Sequence, residues 1–406
     1  MLKSVWKDTE IWALAVAETI VWAGIYYIFA ALISQWERDL EWSKSELAIG
    51  FTCCLVVSGL IAPVIGSLID KGFGRKVLIG GAVFGGVLLF LMVFMNTLWQ
   101  FYTLWTLLGV AAACCFYEPC FAYITHTRPA HAKAAITLVT LVAGFAGTFA
   151  FPTANILTEW YGWRVAVGFF SAMILFVAVP LFYYSTRSAK KTKTSLTSNE
   201  KKQQSLVRKS ALREAITGRY FWIVTISFGL IMINHNGLLT HFLPMMDERD
   251  ISLELAVFAA AMIGPMQVVG RLTMVLTEQW LSALVTCCLA FSCLIVASIC
   301  LIYSMDSPRL IFGFVVFQGI GIGVFSIMRP VIIAELFGVR GFGAISGVSA
   351  SVGQMSMAIA PTLAAAIWLL GGYDMVLLSM LAFAVVATLM FSSVALMQRR
   401  RAYLPT

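Results

Sequence analysis

Charged side chains are scarce in this sequence of 406 residues: Asp, Glu, Lys and Arg make up 12% of it, and hydrophobic residues 60%. Soluble globular domains carry about 25% charged residues. A chain with so little charge cannot cover a water-facing surface, which excludes a soluble globule. The composition predicts an all-α integral membrane protein that crosses the bilayer many times.

Other absences narrow the functions that this membrane protein can have. It has no glycine-rich phosphate loop of the Walker type, so ATP hydrolysis is not its energy source. The nine cysteines lie in apolar runs, where we expect small hydrophobic residues and no disulfides. No metal-ligand spacing stands out, and we expect neither a metal nor a cofactor. The N-terminal run contains Glu18 and lacks a cleavage site, which predicts a retained first span and not a signal peptide.

One long polar stretch, residues 187–219, divides the chain. It carries ten Lys or Arg and two acids, Glu200 and Glu214, which accounts for the whole net charge of +8. We interpret it as a basic loop beside anionic lipid, with no role in binding nucleic acid. Its composition predicts a mobile linker in which residues 210–219 alone form a short helix, with a small folded insertion as the alternative.

Twelve apolar runs flank this linker, six on each side, and each is long enough for a helix to cross a hydrocarbon core of about 30 Å. The predicted spans are 11–35, 47–69, 77–95, 101–124, 134–157, 165–184, 220–243, 255–276, 281–303, 310–336, 344–370 and 375–397. On the side of the termini and the linker lie 21 of the 28 Lys and Arg residues, against five on the other side. The positive-inside rule therefore predicts cytoplasmic termini, and we expect the protein in the cytoplasmic (inner) membrane.

The two halves resemble each other in sequence. Glu118 precedes Pro119 in the fourth span, and 211 residues later Arg329 precedes Pro330 in the tenth. The glycine-rich runs 144–152 and 353–361 repeat at nearly the same spacing, and Gly66 at the end of the second span has its counterpart at Gly270 in the eighth. Two repeats of the same topology predict two pseudo-symmetric six-helix bundles with a cavity between them at mid-membrane. The predicted domains are 1–184 and 220–406, joined by the cytoplasmic basic linker 185–219.

The loop after the second span, residues 66–76, resembles the signature of the major facilitator superfamily. It has a glycine and leucine, an aspartate, a basic residue, then glycine and further bases, with Phe73 where the family places a glycine. With the twelve spans and the long central loop, the resemblance covers the whole chain and implies the major facilitator fold. It also implies a conformational gate that does not touch substrate, formed by Gly66, Asp70, Arg75 and Lys76.

Within that superfamily the sequence resembles the branch of monocarboxylate and oxalate/formate carriers. The residues that carry this resemblance are Tyr26, Tyr27, Ile28, Phe29, Trp42, Ser43, Gly162, Trp163, Arg164, Gly270 and Arg271. It implies that Arg271 binds an anion. Proton-linked members of this branch have an aspartate four residues before this arginine, where this sequence has Gln267. They also have a lysine in the first helix, where this sequence has Ala31. Gln354 stands near the second cation of oxalate-type carriers, which favours a substrate with one carboxylate.

Four ionisable residues lie well inside spans: Glu18, Glu118, Arg271 and Arg329. Each would cost about 2.5 to 3.5 kcal/mol facing lipid at mid-membrane, so we expect each to face the bundle interior. Their depth in the repeated spans predicts that Glu118 and Arg329 form a close pair. This pair is either a static bridge or one for which substrate or a proton competes. Arg271 is the expected anion ligand, because its planar fork binds a carboxylate through two hydrogen bonds.

Aromatic and polar residues complete the candidate substrate site. Trp22 and Tyr26 follow Glu18 at i+4 and i+8, a stripe that either lines a cavity or packs against neighbouring helices. In the seventh span Asn234 and His235 interrupt an apolar run. His235 is either a proton carrier, since free histidine titrates at about pH 6.5, or a hydrogen-bonded core residue. The candidate proton carriers are Glu18, Glu118 and His235.

These features predict a secondary transporter that moves a small organic anion, a monocarboxylate, by proton coupling or exchange. Export of an amphipathic metabolite or drug is the alternative within transport, although the glycine–proline pattern that we expect in the fifth helix of drug/proton antiporters is incomplete. A non-transporting membrane sensor is the alternative of another class, and no signalling domain is visible for it. We expect a monomer without enzymatic activity, with a small-molecule substrate, the lipid bilayer and protons as partners.

Overall fold

The computed structural model describes residues 5–187, 198–305 and 307–402, and within these ranges the regular structure is helical, with no strand. Ten apolar helical segments of this part of the chain are long enough to cross a membrane. Two of them, Lys44–Met92 and Phe342–Met397, are long enough to cross twice. Each holds glycines with non-helical backbone angles where two helices meet, Gly72 in the first and Gly371 with Gly372 in the second. The prediction of twelve spans is therefore confirmed.

The helices of the first six spans are interrupted more often than those of the last six. The first six spans consist of Thr9–Val21, Trp22–Tyr27 (π), Ile28–Leu40, Lys44–Leu68, Ile69–Phe73 (π), Gly74–Met92, Leu98–Cys115, Tyr117–Thr127, Pro129–His131 (3-10), Ala132–Ala143, Ala146–Tyr161, Trp163–Met173, Ile174–Ala178 (π) and Val179–Ser185. The last six consist of Arg219–Glu248, Leu253–Thr277, Ala283–Ile302, Leu310–Phe337 and Phe342–Ala402. Irregular backbone is thus concentrated in the first half of the chain.

Large apolar side chains cover the outside of these helices. Trp99, Trp160, Phe176, Trp280 and Leu369 each expose between 72% and 79% of their surface. A soluble monomer rarely exposes contiguous apolar surface on this scale, because water penalises it. In a helical membrane protein these side chains face lipid, and tryptophans are enriched at the two membrane–water interfaces.

Polar side chains cap the helix N-termini, where backbone N–H groups have no hydrogen-bond partner within the helix. Asp8 begins the first span, since its Oδ1 accepts from the N–H of Glu10 at 2.9 Å. Ser43 and Glu46 form a capping box at the start of the second span. Such caps are worth about 1 kcal/mol each, because they satisfy backbone donors that the first helical turn leaves open.

Two arginines cap helix C-termini by donating hydrogen bonds to backbone carbonyls. Arg164 donates to the carbonyl of Val93 at 3.1 Å and to Oδ1 of Asn96 at 2.8 Å, just after the third span. Arg249 donates to the carbonyl of Leu301 at 3.0 Å, at the end of the ninth. Because a guanidinium at a helix C-terminus also complements the helix dipole, Arg164 has a structural role here.

The linker contains a longer helix than the sequence analysis predicts. The structure has one helix over Ser198–Thr217, where a short helix at residues 210–219 was expected. That prediction was wrong in extent, because the stretch is rich in Lys, Gln, Leu, Arg and Ala. These residues lose little side-chain freedom in a helix. The predicted mobility of residues 188–197 concerns a segment outside the described residues.

The described residues divide into two compact units. The first unit contains the residues up to Glu214 together with Ile333–Gln354. The second contains Ala215–Ile332 together with the residues from Met355 onwards. Most of the linker helix and the beginning of the eleventh span thus pack within the first unit. The predicted domain limits at residues 184 and 220 stay a prediction.

Candidate functional site

Two breaks in helical geometry lie near the acids of the first unit. Residues Trp22–Tyr27 form a π-helical segment that begins four residues after Glu18. The fourth span breaks at Phe116, whose backbone is extended at φ −88° and ψ −168°. Pro119 lies three residues further along the chain, and a proline cannot supply the N–H that would bond four residues back. Because π-helical segments frequently mark functional sites, this region is the strongest candidate in the first unit.

Glu18 lies at the centre of this region. Its side chain is fully buried, and neither carboxyl oxygen makes a hydrogen bond to any described residue. The side chains of Cys120 and Trp22 lie beside it, and Glu118 is near enough to act on it electrostatically. The structure therefore brings together two of the three predicted proton carriers, Glu18 and Glu118. Buried carboxyl groups at membrane depth are characteristic of proton and ion pathways.

Aromatic rings form one wall of this region. Trp22 stacks on Phe116 with ring centroids 4.4 Å apart, and it lies 4.6 Å from Tyr117. Tyr26 meets Phe51 edge to face at 5.3 Å. The stripe on the first span thus packs against the second and fourth spans, while Trp22 and Tyr26 stay half-buried. These contacts hold the π-helical segment against the break at Phe116, since aromatic pairs add about 0.5 to 1.5 kcal/mol to the area they bury.

The predicted gate residues Gly66 and Asp70 meet the start of the eleventh span. The Asp70 carboxylate accepts hydrogen bonds from the backbone N–H groups of Gly343 and Ala344, both at 2.9 Å. A carboxylate at a helix N-terminus complements the helix dipole and satisfies open donors. Gly66 lies so close that a Cβ atom there would collide with the carbonyl of Gly343. These contacts form the junction that we call the Asp70 junction, and its role as a gate stays a prediction.

The other two predicted gate residues contact aromatic rings. The Arg75 guanidinium lies 4.3 Å from the ring centroid of Tyr183, and the Lys76 ammonium lies 5.8 Å from that of Phe73. Such cation–π contacts hold basic side chains near the helix ends. Phe73, which departs from the family pattern, thus takes a role as the partner of Lys76.

Arg271 and Gln267 lie one turn apart in the helix Leu253–Thr277. The Arg271 side chain is buried, and its Nη2 lies 3.5 Å from Oε1 of Gln267, at the limit of a hydrogen bond. Arg329 is half-buried in the tenth span. Glu118 belongs to the first unit and Arg329 to the second, so their predicted pairing stays a prediction.

The polar residues of the seventh span bond to neighbouring helices of the second unit. Asn234 is fully buried, and its Nδ2 donates to Oγ of Ser298 at 3.1 Å and to the carbonyl of Met380 at 2.9 Å. His235 pairs through Nδ1 with Nε2 of Gln318 at 3.0 Å. This arrangement favours the hydrogen-bonded core interpretation of His235. Asn234 and His235 therefore join the seventh span to the ninth, tenth and twelfth.

Gln354 lies in the eleventh span, within the first unit. Its side chain is half-buried, and its Oε1 atom is buried without a hydrogen bond. The amide thus keeps an open acceptor.

The sequence analysis missed several residues that complete these clusters. They are Cys120 beside Glu18, Phe116 at the break, Ser298 and Gln318 in the second unit, and Gly343 with Ala344 at the Asp70 junction. Pro119 was a usable signal for the break. For Cys120 and Ser298, small residues within apolar runs, the sequence offers no signal that separates them from packing residues.

Comparisons with known proteins agree with this architecture. The sequence profile of the Major Facilitator Superfamily matches residues 14–303. Among solved structures, the chain is similar to a variant of the E. coli fucose:proton symporter FucP, with a TM-score of 0.68 and 12% sequence identity. That match covers 94% of this chain and 97% of the other, and at this identity it shows the fold. The sequence has no significant match among curated proteins.

The family profile covers well over half of the chain, and the twelve spans have the two-bundle fold of the family's solved structures. Proteins of this fold are secondary transporters that carry small molecules across a lipid bilayer, and they are not enzymes. This multi-pass membrane protein is therefore a secondary transporter, and it belongs to the Major Facilitator Superfamily.

Proposed function

We propose that this transporter moves a small organic anion, a monocarboxylate, and couples its movement to protons. The proposal rests on one observation: Glu18 and Arg271 are the least exposed charged residues among those described, with 0% and 4% of the whole residue's surface exposed, and both lie inside spans. Ionisable groups are retained at membrane depth where they serve an ion or substrate pathway. The similar E. coli protein is named a proton symporter, and for this chain Glu18 is the candidate for that coupling.

Arg271 supports the choice of an anion. Its guanidinium stays charged at any working pH and presents a planar fork that matches a carboxylate. Its Nη2 atom lies 3.5 Å from Oε1 of Gln267, one turn earlier in the same helix. The branch resemblance supports this choice less, because Ser43 and Arg164 have structural roles as helix caps.

Glu18 supports the choice of a proton. Taking an ionised carboxylate out of water costs several kcal/mol, and the described side chains beside Glu18, those of Cys120, Trp22 and Glu118, include no base. A neutral carboxyl tolerates such surroundings, whereas an ionised one needs water or a donor. A carboxyl that alternates between these states during transport carries one proton per cycle.

The test is uptake of labelled carboxylates into proteoliposomes, with and without an imposed pH gradient. We expect an inward proton gradient to drive accumulation of a monocarboxylate. Glu18→Gln should abolish this accumulation while exchange of labelled for unlabelled substrate continues, since Gln cannot release a proton. Glu159→Gln, which changes an exposed acid, is the matched control. Uptake by Glu18→Gln that still follows the pH gradient would remove Glu18 from the coupling.

Arg271→Gln tests the anion site in the same vesicles. Loss of a charge-assisted hydrogen bond of about 3 kcal/mol predicts a rise in KM on the order of 100-fold for a monocarboxylate. Arg309→Gln, an exposed arginine, should leave KM unchanged. A normal KM in Arg271→Gln would show that the carboxylate binds elsewhere.

Export of an amphipathic metabolite or drug is the second candidate, and the aromatic wall around Trp22 favours it. Rings with accessible faces bind flat apolar groups. Inside-out vesicles that accumulate an amphipathic dye, while the carboxylate panel gives no uptake, would support export over anion transport. Trp22→Ala should then reduce dye accumulation, because it removes the central ring of the wall.

We also propose a monomer in the cytoplasmic membrane, with both termini in the cytoplasm. The excess of Lys and Arg on the side of the linker supports this orientation. Tags at each terminus that an impermeant protease removes from inside-out vesicles, and leaves intact in whole cells, would support it. The opposite pattern would reverse the orientation.

A further inference from the structure

The linker helix Ser198–Thr217 bonds to the predicted gate. Nη1 of Arg208 donates a hydrogen bond to the backbone carbonyl of Asp70, and its charge acts on the Asp70 carboxylate. Both residues belong to the first unit. Asp70 is therefore held at two atoms, by Arg208 at its carbonyl and by the start of the eleventh span at its carboxylate.

The bond from Arg208 lies where the second span ends. Asp70 lies in the π-helical turn Ile69–Phe73, and at Gly72 the chain leaves helical geometry with φ 85°. The last carbonyls of a helix have no internal partner. A basic side chain that caps them adds a hydrogen bond and complements the negative end of the helix dipole. Arg208 does this for the second span.

The linker helix also touches the segment on the other side of the Asp70 junction. Gly341 precedes the eleventh span and adopts φ 71°, a left-handed conformation that favours glycine. A Cβ atom on Gly341 would lie 3.3 Å from the carbonyl oxygen of Arg208 and 3.9 Å from Cβ of Ala211. The same turn of the linker helix thus contacts both partners of the junction, the end of the second span and the approach to the eleventh.

We propose that Arg208 is a further gate residue, through which the linker helix stabilises the closed Asp70 junction. This inference rests on the proposed gating role of Asp70. The positions of the two contacts support it, because releasing the second span from the eleventh would require Arg208 to give up a charge-assisted hydrogen bond. Ten basic residues occur in the polar stretch, and the geometry assigns this role to Arg208.

Hydrogen exchange at the junction tests the inference without any substrate. In the full chain in lipid nanodiscs, the amides of Gly343 and Ala344 exchange only when they leave the Asp70 carboxylate. We expect Arg208→Gln to speed their exchange on the order of tenfold, which corresponds to about 1.4 kcal/mol. Arg208→Lys should recover part of the protection, because it keeps a charged donor. Lys209→Gln, the neighbouring exposed base, is the matched control and should exchange like the wild type.

Asp70→Asn calibrates the experiment, because it weakens both bonds to the amides directly. Wild-type exchange in Arg208→Gln, with faster exchange in Asp70→Asn, would overturn the role of Arg208 and leave the Asp70 junction intact. Equal acceleration by Arg208→Gln and Lys209→Gln would also overturn it, since the general charge of the helix would then be responsible. Faster exchange in Arg208→Gln with unaltered transport would support the contact and contradict the proposed gating function.

Discussion

Glu18 of the first unit and Asn234 and His235 of the second are all buried, but they are held in different ways. In the first, Glu18 is buried without a hydrogen bond, between a π-helical segment and a broken fourth span. In the second, Asn234 and His235 lie in an uninterrupted helix and bond to three neighbouring helices. An acid without fixed partners can change its protonation state at little structural cost, whereas a bonded amide cannot change its partners without loosening the helices. Under the proposed proton coupling, Glu18 is the changeable group of the first unit, and the bonded residues Asn234 and His235 belong to a stiffer part of the second.

The repeated prolines show how the difference arises from similar sequences. The fourth span breaks at Phe116, three residues before Pro119, whereas the tenth runs from Leu310 to Phe337 through Pro330 as one helix. Proline removes a backbone donor in both cases. In the fourth span, the break at Phe116 places Tyr117 and Glu118 beside the first span. A proline in the repeated position therefore accompanies a helix break beside the candidate site in one half and a continuous helix in the other.

The largest effect is expected at two close helix contacts, one in each unit. Gly66→Ala places a Cβ on the carbonyl of Gly343, and Gly270→Ala places one on a carbonyl of the tenth span. Because backbone must move in both, each should lose about 3 kcal/mol of stability, measured as a lower melting temperature. Only Gly66→Ala should also speed exchange at Gly343. The controls are Gly80→Ala and Gly264→Ala, whose Cβ atoms would meet no atom within 4 Å.

Equal acceleration of exchange at Gly343 by both glycine variants would contradict this difference between the two contacts. It would mean that the Asp70 junction responds to packing anywhere in the protein. Unchanged melting temperatures in both would contradict the close approach of the helices itself.

Much of the fold could be predicted from the sequence, because each span is a long apolar run that needs no partner to be recognised. The type of contact that Asp70 makes could also be predicted, because a carboxylate at a helix end can stabilise the N-terminus of a neighbouring helix. Its partners Gly343 and Ala344 could not be predicted, because 273 residues of chain separate Gly343 from Asp70. The role of Arg208 could not be predicted for a different reason. The polar stretch around it contains many other basic residues, and only its contact with Asp70 in the structure distinguishes it.

The candidate site was predicted residue by residue but not as an arrangement. Glu18 and Glu118 were recognised because charges inside apolar runs stand out. Their proximity depends on the π-helical turn at Trp22 and on the break at Phe116, which alter the face that each side chain occupies. A regular 3.6-residue period cannot supply that information. The pairing of Glu118 with Arg329, which was predicted from their depth in the repeated spans, stays a prediction.

A smaller loss of stability is expected from removing the bonded amide of the second unit. Asn234→Ala leaves Oγ of Ser298 and the Met380 carbonyl without this donor, which should cost about 2 kcal/mol and lower the melting temperature. Asn236→Ala is the matched control, because Asn236 bonds within its own helix, to Met232, and should change stability by less than about 0.5 kcal/mol. In contrast, Glu18→Gln should leave the melting temperature unchanged or raise it, as it removes a buried acid without a hydrogen bond. A lower melting temperature in Glu18→Gln than in Asn234→Ala would reverse the assignment of the stiff and changeable units.

The smallest effect on stability is expected at the repeated prolines. The two proline variants should instead differ in their transport activity. Pro119→Ala restores an N–H that can bond the carbonyl of Cys115 and close the break at Phe116, so stability should change by less than about 1 kcal/mol. The regularised helix would rotate Glu118 away from Glu18, and we expect proton-driven uptake to fall several-fold. Pro330→Ala acts on a helix that is already continuous and should leave uptake near the wild-type rate. If both variants slowed uptake equally, the break in the fourth span would have no special role, and the proximity of the two acids would not depend on it.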